Sequence, residues 1–339
     1  MRYAFPDPFI IAEIGHNHMG NLAVCKRMFA EAKRCGANAV KLQKRDNKSL
    51  FTKAAFDKPY ENRNSYGPTY GLHREALEFG FSEYQELKDY ANELDILFFS
   101  TPFDFPSVDF LEQLDMPMYK IASADCTNTP LIDYVTMTGK PVIVSTGGAS
   151  WTDIDRAYEY VDPERTAFLH CVATYPNEAS QMNLKVVAEM KKRYPLLSAV
   201  GLSDHYNGIC MAEAAYILGA MVIEKHFTLN HSWKGTDHAL SLEPQGLESL
   251  VHNINRIRLA MGDGEKKVLE PERLAIEKMG KSLYPLRPIM AGEVLTEEKV
   301  CIKSPGGGLP PWRANDDFFG RVVISDLSTG VPISEDDLS

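Results

Sequence analysis

Apolar residues along this chain gather into eight short runs, and each run is followed by a stretch whose apolar positions recur every three or four residues. The runs are Phe9 to Gly15, Ala39 to Gln43, Ile96 to Pro102, Met118 to Ser123, Pro141 to Gly147, Thr166 to Val172, Ser198 to Asp204 and Met221 to Thr228. Their length and bounding turn residues predict buried strands. The intervening stretches predict helices, most clearly Leu22 to Cys35, where Met28, Phe29, Ala32 and Cys35 share a face and Gly36 follows as a C-cap. Comparable stretches are Ser82 to Leu94, Pro106 to Leu114, Leu131 to Met137, Asp153 to Val161, Leu184 to Tyr194, Ile209 to Leu218 and Gln245 to Met261. Regular alternation with short connections predicts βαβ units and a parallel sheet. A doubly wound open sheet is the rival. The count of eight, with polar residues at the downstream ends of all the runs, favours an α/β (β/α)8 TIM barrel over a sheet with one switch point.

Those downstream ends carry Glu13, Lys41, Thr101, Lys120, Ser123, Ser145, His170, Ser203, His205 and His226. In a closed parallel barrel they share one face, where barrel active sites lie. One connection is long: Lys44 to Phe81, holding Asn62, Asn64, Tyr66, Gly67, Tyr70, His73 and Arg74, reads as a substrate-covering flap or a surface excursion.

The texture changes after Gly262. Residues 1–262 are assigned to the barrel, 263–281 to a charged linker with a helix-like stretch from Glu270 to Lys278, and 282–339 to a small, mostly β module. That module shows short alternating runs such as Ser282 to Leu286 and Arg321 to Ser325, between glycine and proline turns. It is near the lower size at which a domain folds unaided, so it is expected to pack against something.

Apolar content of 44% and charged content of 24% fit an ordinary soluble protein, and no run approaches a membrane span. The N-terminus has no secretory pattern, and six cysteines without a C-x-x-C pair suit a reducing compartment, so a cytoplasmic location is expected. A net charge of −10 with no sizeable basic cluster argues against a nucleic-acid partner.

Candidate chemistry follows from position. An inward lysine on a strand is costly unless it meets an anion, so Lys41 and Lys120 suggest a phosphate and a carboxylate. Thr101, Ser123, Ser145 and Ser203 would add hydroxyl donors, although any one of them singly could be a helix cap. Lys120 could also serve as a Schiff-base lysine. Glu13, in an apolar run, requires a lysine, metal or substrate partner. Asp125, Asp204, Asp237 and His238 are further candidates. His205 and His226 end neighbouring strands and could share a divalent ion, the remaining ligands being water, carboxylate or substrate oxygen; an open Mn²⁺-type site fits two imidazoles, and a structural zinc does not.

Taken in order, Ile11-Ala12-Glu13-Ile14-Gly15 with Asn17-His18, Val40-Lys41-Leu42-Gln43, Ser100-Thr101-Pro102-Phe103, Tyr119-Lys120-Ile121-Ala122-Ser123, Val144-Ser145-Thr146-Gly147, Tyr175-Pro176, Gly201-Leu202-Ser203-Asp204-His205 and Glu224-Lys225-His226-Phe227-Thr228 resemble the sialic acid (N-acetylneuraminate) synthase family. The tail, with Gly292-Glu293, Lys303 to Gly308 and Gly320 onward, is similar to that family's antifreeze-like (SAF) domain. The resemblance implies condensation of phosphoenolpyruvate with an aldose, an N-acylmannosamine or related amino sugar, to a 2-keto-3-deoxy sugar acid for surface polysaccharide. It implies that Lys41, Thr101, Lys120, Ser123, Ser145 and Ser203 bind phosphoenolpyruvate, with Glu13, Asp125 and Lys41 as catalytic groups. It further implies that His205 and His226 bind a divalent metal (Mn²⁺, with Mg²⁺ or Co²⁺ as alternatives) and that Tyr175, Asn64, Asp237 and Ser304 face the sugar. A domain-swapped homodimer, each SAF module closing the partner's barrel, is implied as well.

Three positions depart from the family pattern: Asp125 stands where a glutamate is usual, Ala173 where a polar residue precedes Tyr-Pro, and Ser304 where an arginine of the SAF domain reaches the N-acetyl group. Two other classes of function remain open to the sequence, a Schiff-base pyruvate aldolase using Lys120 and a non-catalytic carbohydrate- or ice-binding protein.

Overall fold

The computed structural model describes residues 3–315 and 318–339 and divides into two compact units, Met1–Met261 and Gly262–Ser339. In the first, eight parallel strands close into a barrel in sequential order: β1 (Phe9–Gly15), β2 (Ala39–Lys44), β3 (Leu97–Pro102), β4 (Tyr119–Ile121), β5 (Val142–Ser145), β6 (Thr166–Cys171), β7 (Ala199–Asp204) and β8 (Val222–His226). β1 closes the ring by pairing with both β2 and β8.

Side-chain alternation on each strand separates two apolar layers. Ile10, Ala12 and Ile14 of β1, with Val40, Phe98, Val144 and Ile223, face outward and pack on helices such as Leu22–Arg34, Phe81–Glu93 and Pro244–Met261. The alternate residues face the lumen, where Phe5, Phe9, Ile11, Ala39, Phe99, Met118, Ile143, Leu169 and Val222 fill the lower half of the barrel. Above this plug the same inward parity turns polar. Glu13 lies in register with Lys41 on one side and His226 on the other, Gln43 with Thr101, and Ser203 with Cys171 and Glu224. The barrel closes tightly at Gly201, where a Cβ would lie 2.0 Å from the Val222 carbonyl oxygen and 2.6 Å from Leu169.

The segment after β2 is more ordered than an excursion. It holds three short helices, Asn47–Leu50, Lys53–Phe56 and Tyr70–Glu75, whose first turns are capped by the side chains of Asp46, Thr52 and Thr69. Gly71 lets Phe56 lie against the third helix, since a Cβ there would meet its ring at 2.2 Å. Among the described residues no helix is long and apolar enough to cross a membrane, and none of the six cysteines is in a disulfide.

In the second unit β9 (Ser282–Pro285) pairs antiparallel with β10 (Val300–Lys303) over a core of Leu283, Ile289, Leu295, Leu309, Phe318, Val323 and Ile333. The run from Arg321 to Ser325 forms isolated bridges, Val294 with Val322 and Val323 with Leu338, and no continuous strand. Its partners change every residue or two, so no ladder propagates. The stretch expected as a linker contains the helix Arg273–Met279.

Candidate active site

The carboxyl ends of the strands surround a cavity of about 560 Å³. Lys41 and Lys120, each 3% exposed, point inward from β2 and β4. The Lys41 ammonium lies 2.6 Å from Glu13 and donates to Thr101 Oγ1 at 2.8 Å. Lys120 donates to Ser145 Oγ at 2.6 Å and to the Ile121 carbonyl at 3.1 Å. Between the lysines stands Glu224, 3.6 Å from Lys120 and 3.9 Å from Lys41, accepting the Ser203 hydroxyl at 2.9 Å.

Burial works against the Glu224 charge, but Lys120, Lys41, the Ser203 hydroxyl and His226 outweigh it and hold its pKa at about 2. Burial lowers the Lys120 pKa, with Glu224 opposing. Two buried ammoniums thus rest against two buried carboxylates, ringed by hydroxyls from three strands. An incoming anion can exchange partners with the carboxylates without any charge moving far.

On the far side of this ring His205 and His226 stand with ring centroids 5.4 Å apart, and Tyr175 lies tilted over His205 at 4.1 Å. His205 Nδ1 sits 3.1 Å from the Val172 carbonyl, so it donates there and leaves Nε2 as the acceptor. Burial, with His226 adding to it, lowers the His205 pKa to about 4, which keeps the ring neutral. His226 Nδ1 is buried without a hydrogen-bond partner. Among the described residues no group of three or more His, Cys, Asp and Glu gathers as a metal cage.

Of the residues expected from the sequence, Glu13, Lys41, Thr101, Lys120, Ser123, Ser145, Ser203, Tyr175, Asp237, His205 and His226 line this one cavity. Ser123 begins a 3-10 turn past β4, its hydroxyl accepting from the Gly147 amide at 3.0 Å. Six do not line it: His170, whose Nε2 lies 2.7 Å from the Met182 carbonyl, Asp204, paired with Lys225 at 3.0 Å, His238, whose Nδ1 lies 2.7 Å from the Thr228 hydroxyl, and Asp125, Asn64 and Ser304. Asp125 sits in the same turn, bonded to Asn128 at 3.0 Å, with burial raising its pKa. Asn64 accepts from the Gly235 amide at 3.3 Å, tying the segment after β2 to the one after β8. Ser304 belongs to the second unit, where its hydroxyl is 3.0 Å from the Gly280 carbonyl.

Five polar lining residues were not singled out for chemistry: Gln43, Arg45, Arg74, Glu224 and Thr236. Strand parity finds two of them, since Gln43 follows Lys41 and Glu224 precedes His226 by two residues on the same inward face. Arg45 and Arg74 belong to the long connection, where no periodicity applies.

The NeuB family model matches residues 28–266, and the SAF domain model matches residues 280–339. The chain is 38% identical over 335 residues to the N-acetylneuraminate-9-phosphate synthase of Mus musculus, covering 97% of this chain and 90% of the relative. It is 36% identical over 332 residues to the N,N'-diacetyllegionaminic acid synthase of Campylobacter jejuni, covering 96% and 98%. The crystal structure of an N-acetylneuraminic acid (sialic acid) synthetase from Leptospira borgpetersenii in complex with citrate matches with a TM-score of 0.70 at 33% identity, covering 80% of this chain and 91% of the other.

Proposed function

The chain belongs to the NeuB family, and on that premise we propose that it condenses phosphoenolpyruvate with an amino-sugar aldose, giving a nonulosonic acid and phosphate. One observation carries this reading: two inward lysines, each bonded to a strand-end hydroxyl, form a buried anion cradle beside an imidazole pair in the same cavity. Phosphoenolpyruvate presents a phosphate and a carboxylate, the two charges that two lysines and four hydroxyls suit.

A divalent ion fits the remaining donors. His205 offers Nε2, and His226 has a buried nitrogen without a partner. Two imidazoles without thiolate suit an open site for Mn²⁺, or for Mg²⁺ or Co²⁺. Bound there, such an ion supplies Lewis acidity to the aldehyde oxygen.

The chain's own residues do the rest. Lys41 and Lys120 hold the enol phosphate, and Thr101, Ser123, Ser145 and Ser203 fix its orientation. Carbon 3 of phosphoenolpyruvate bonds to the aldehyde carbon, whose oxygen gains a proton, and positive charge develops at carbon 2. Glu13 and Glu224 face that charge and stabilise it. Water then bonds to carbon 2, yielding a proton to a carboxylate; the bond from carbon 2 to the phosphate oxygen breaks, and phosphate leaves as the ketone forms. Glu13 lines the cavity and Asp125 does not, so Glu13 is the better-supported base. Six free cysteines agree with work in the cytoplasm.

The test is phosphate release from phosphoenolpyruvate with Mn²⁺ across N-acyl amino-sugar aldoses, with and without chelator. Release that needs both metal and aldose supports the reading; trapping of pyruvate on Lys120 by borohydride, with no metal dependence, sinks it. We also propose a homodimer in which each SAF unit closes the other barrel. A chain ending at Gly262 should then lose most of its activity, and full activity in that truncation would remove the proposal.

A further inference from the structure

The last rung shared by β7 and β8 joins Asp204 to Lys225, one residue before each of the two site imidazoles. Both side chains point away from the lumen, in line with Val200, Leu202 and Ile223 of the apolar layer between strands and helices, and both residues are 1% exposed. Two charges stand where the alternation would place two aliphatic side chains. Lys225 Nζ lies 3.0 Å from Asp204 Oδ2. Burying such a pair costs the hydration of both ions, and replacing one by well-packed apolar residues is often neutral or stabilising, so stability alone does not explain it.

Its hydrogen bonds reach further. The β7 strand ends at Asp204, and the main chain runs on through His205 and Tyr206. Asp204 Oδ1 accepts the Tyr206 amide at 2.8 Å, which turns the chain at His205. Lys225 Nζ donates to the Tyr206 carbonyl at 2.5 Å. The ammonium therefore holds the tripeptide Asp204-His205-Tyr206 at both ends, by the side chain of the first residue and the carbonyl of the last. On the other flank the His205 carbonyl accepts the Asn177 amide at 3.4 Å, and His205 Nδ1 donates to the Val172 carbonyl at 3.1 Å. Those two contacts anchor His205 to the segment after β6. Lys225 anchors it to β8, the strand that carries His226.

We propose that Asp204 and Lys225 are positioning residues, which fix His205 at the spacing from His226 at which the two imidazoles take up a divalent ion. The inference rests on the reading of those imidazoles as a metal site and assigns the support behind it. Neither side chain lines the cavity, so the pair acts through the backbone. An imidazole whose main chain is clamped on both flanks has little freedom left to lose, and the ion meets donors already spaced for it.

The experiment titrates the metal-free full chain with Mn²⁺ and follows the free ion by electron paramagnetic resonance, so that binding is read without turnover. Asp204→Asn combined with Lys225→Met removes both charges and leaves none unpaired, but it cuts the tie from β8 to Tyr206. The expected result is Mn²⁺ binding weakened by about 10-fold or more, the scale of losses behind the ligands of a metal. Phosphoenolpyruvate binding on the lysine cradle should be unchanged, and kcat for phosphate release should largely recover at saturating Mn²⁺. Lys225→Arg, which keeps a cation facing Asp204 and the Tyr206 carbonyl, should stay near the wild-type chain. Asp204→Asn with Lys225→Gln repeats the measurement should the first pair of changes prevent folding. A lower melting temperature with unchanged Mn²⁺ affinity makes the pair structural and overturns the inference, leaving the metal reading intact. A wild-type chain that binds no Mn²⁺ removes that reading and the inference with it.

Discussion

Glu224 is the residue on which the anion cradle balances. It faces both lysines, and with Glu13 it supplies the counter-charge that lets two ammoniums stay buried. Glu224→Gln keeps the shape and removes the charge, leaving Lys120 with no carboxylate in contact; breaking a buried pair in this way costs about 3–5 kcal/mol. The variant should melt lower and lose about 100-fold or more in kcat. Phosphoenolpyruvate restores the missing negative charge, so it should raise the melting temperature of the variant by more than it raises that of the wild-type chain. Equal ligand-induced shifts would show that Glu224 does not carry this balance. The sequence exposed Lys41, Lys120 and Glu13 because a charged residue in an apolar run is conspicuous. Glu224 was harder to see, because it sits in the charged triplet Glu224-Lys225-His226, where only alternation separates the inward residues from Lys225, which turns outward to a buried pair with Asp204 at 3.0 Å.

At the scale of elements the strands were legible because each must show two apolar faces, one to the lumen and one to the helices. Helix ends shifted by a residue or two, as capping geometry decides them. The segment after β2 was not legible as structure: helices of four to six residues show no full period, and Asp46, Thr52 and Thr69 as caps were their only signature. Nor could sequence reveal why Gly201 stands mid-strand. There β6, β7 and β8 approach so closely that Gly201→Ala drives a methyl into the Val222 carbonyl. Overpacking at an unyielding backbone contact should cost about 3 kcal/mol, a fall in melting temperature of roughly 5–10 °C. A change below about 1 °C by calorimetry would show that the strands can part there.

Over the whole molecule, acid should be a stronger destabiliser than the carboxylates alone suggest. His18, 1% exposed and stacked on Phe79 at 4.2 Å, accepts the Gly20 amide at Nδ1, a bond only the neutral ring can make. Burial, with His16 adding to it, lowers its pKa to about 3 from 6.5. Between those values the unfolded chain binds a proton that the folded one refuses, so stability falls as pH drops from 6.5 toward 3, by at most about 1.4 kcal/mol per pH unit from this group. His18→Gln should flatten that limb in melts recorded from pH 7 to 4; an unchanged slope would assign the acid loss elsewhere. The apolar plug beneath the site has a consequence for kinetics. A barrel stoppered by Phe5, Phe9 and Phe99 is a blind-ended vessel, filled and emptied through one opening. The reactant seated on the deep lysines must enter before the one seated near the rim, which then traps it. Addition should therefore be compulsory and ordered, phosphoenolpyruvate first, and an unreactive aldose analogue should inhibit uncompetitively against it.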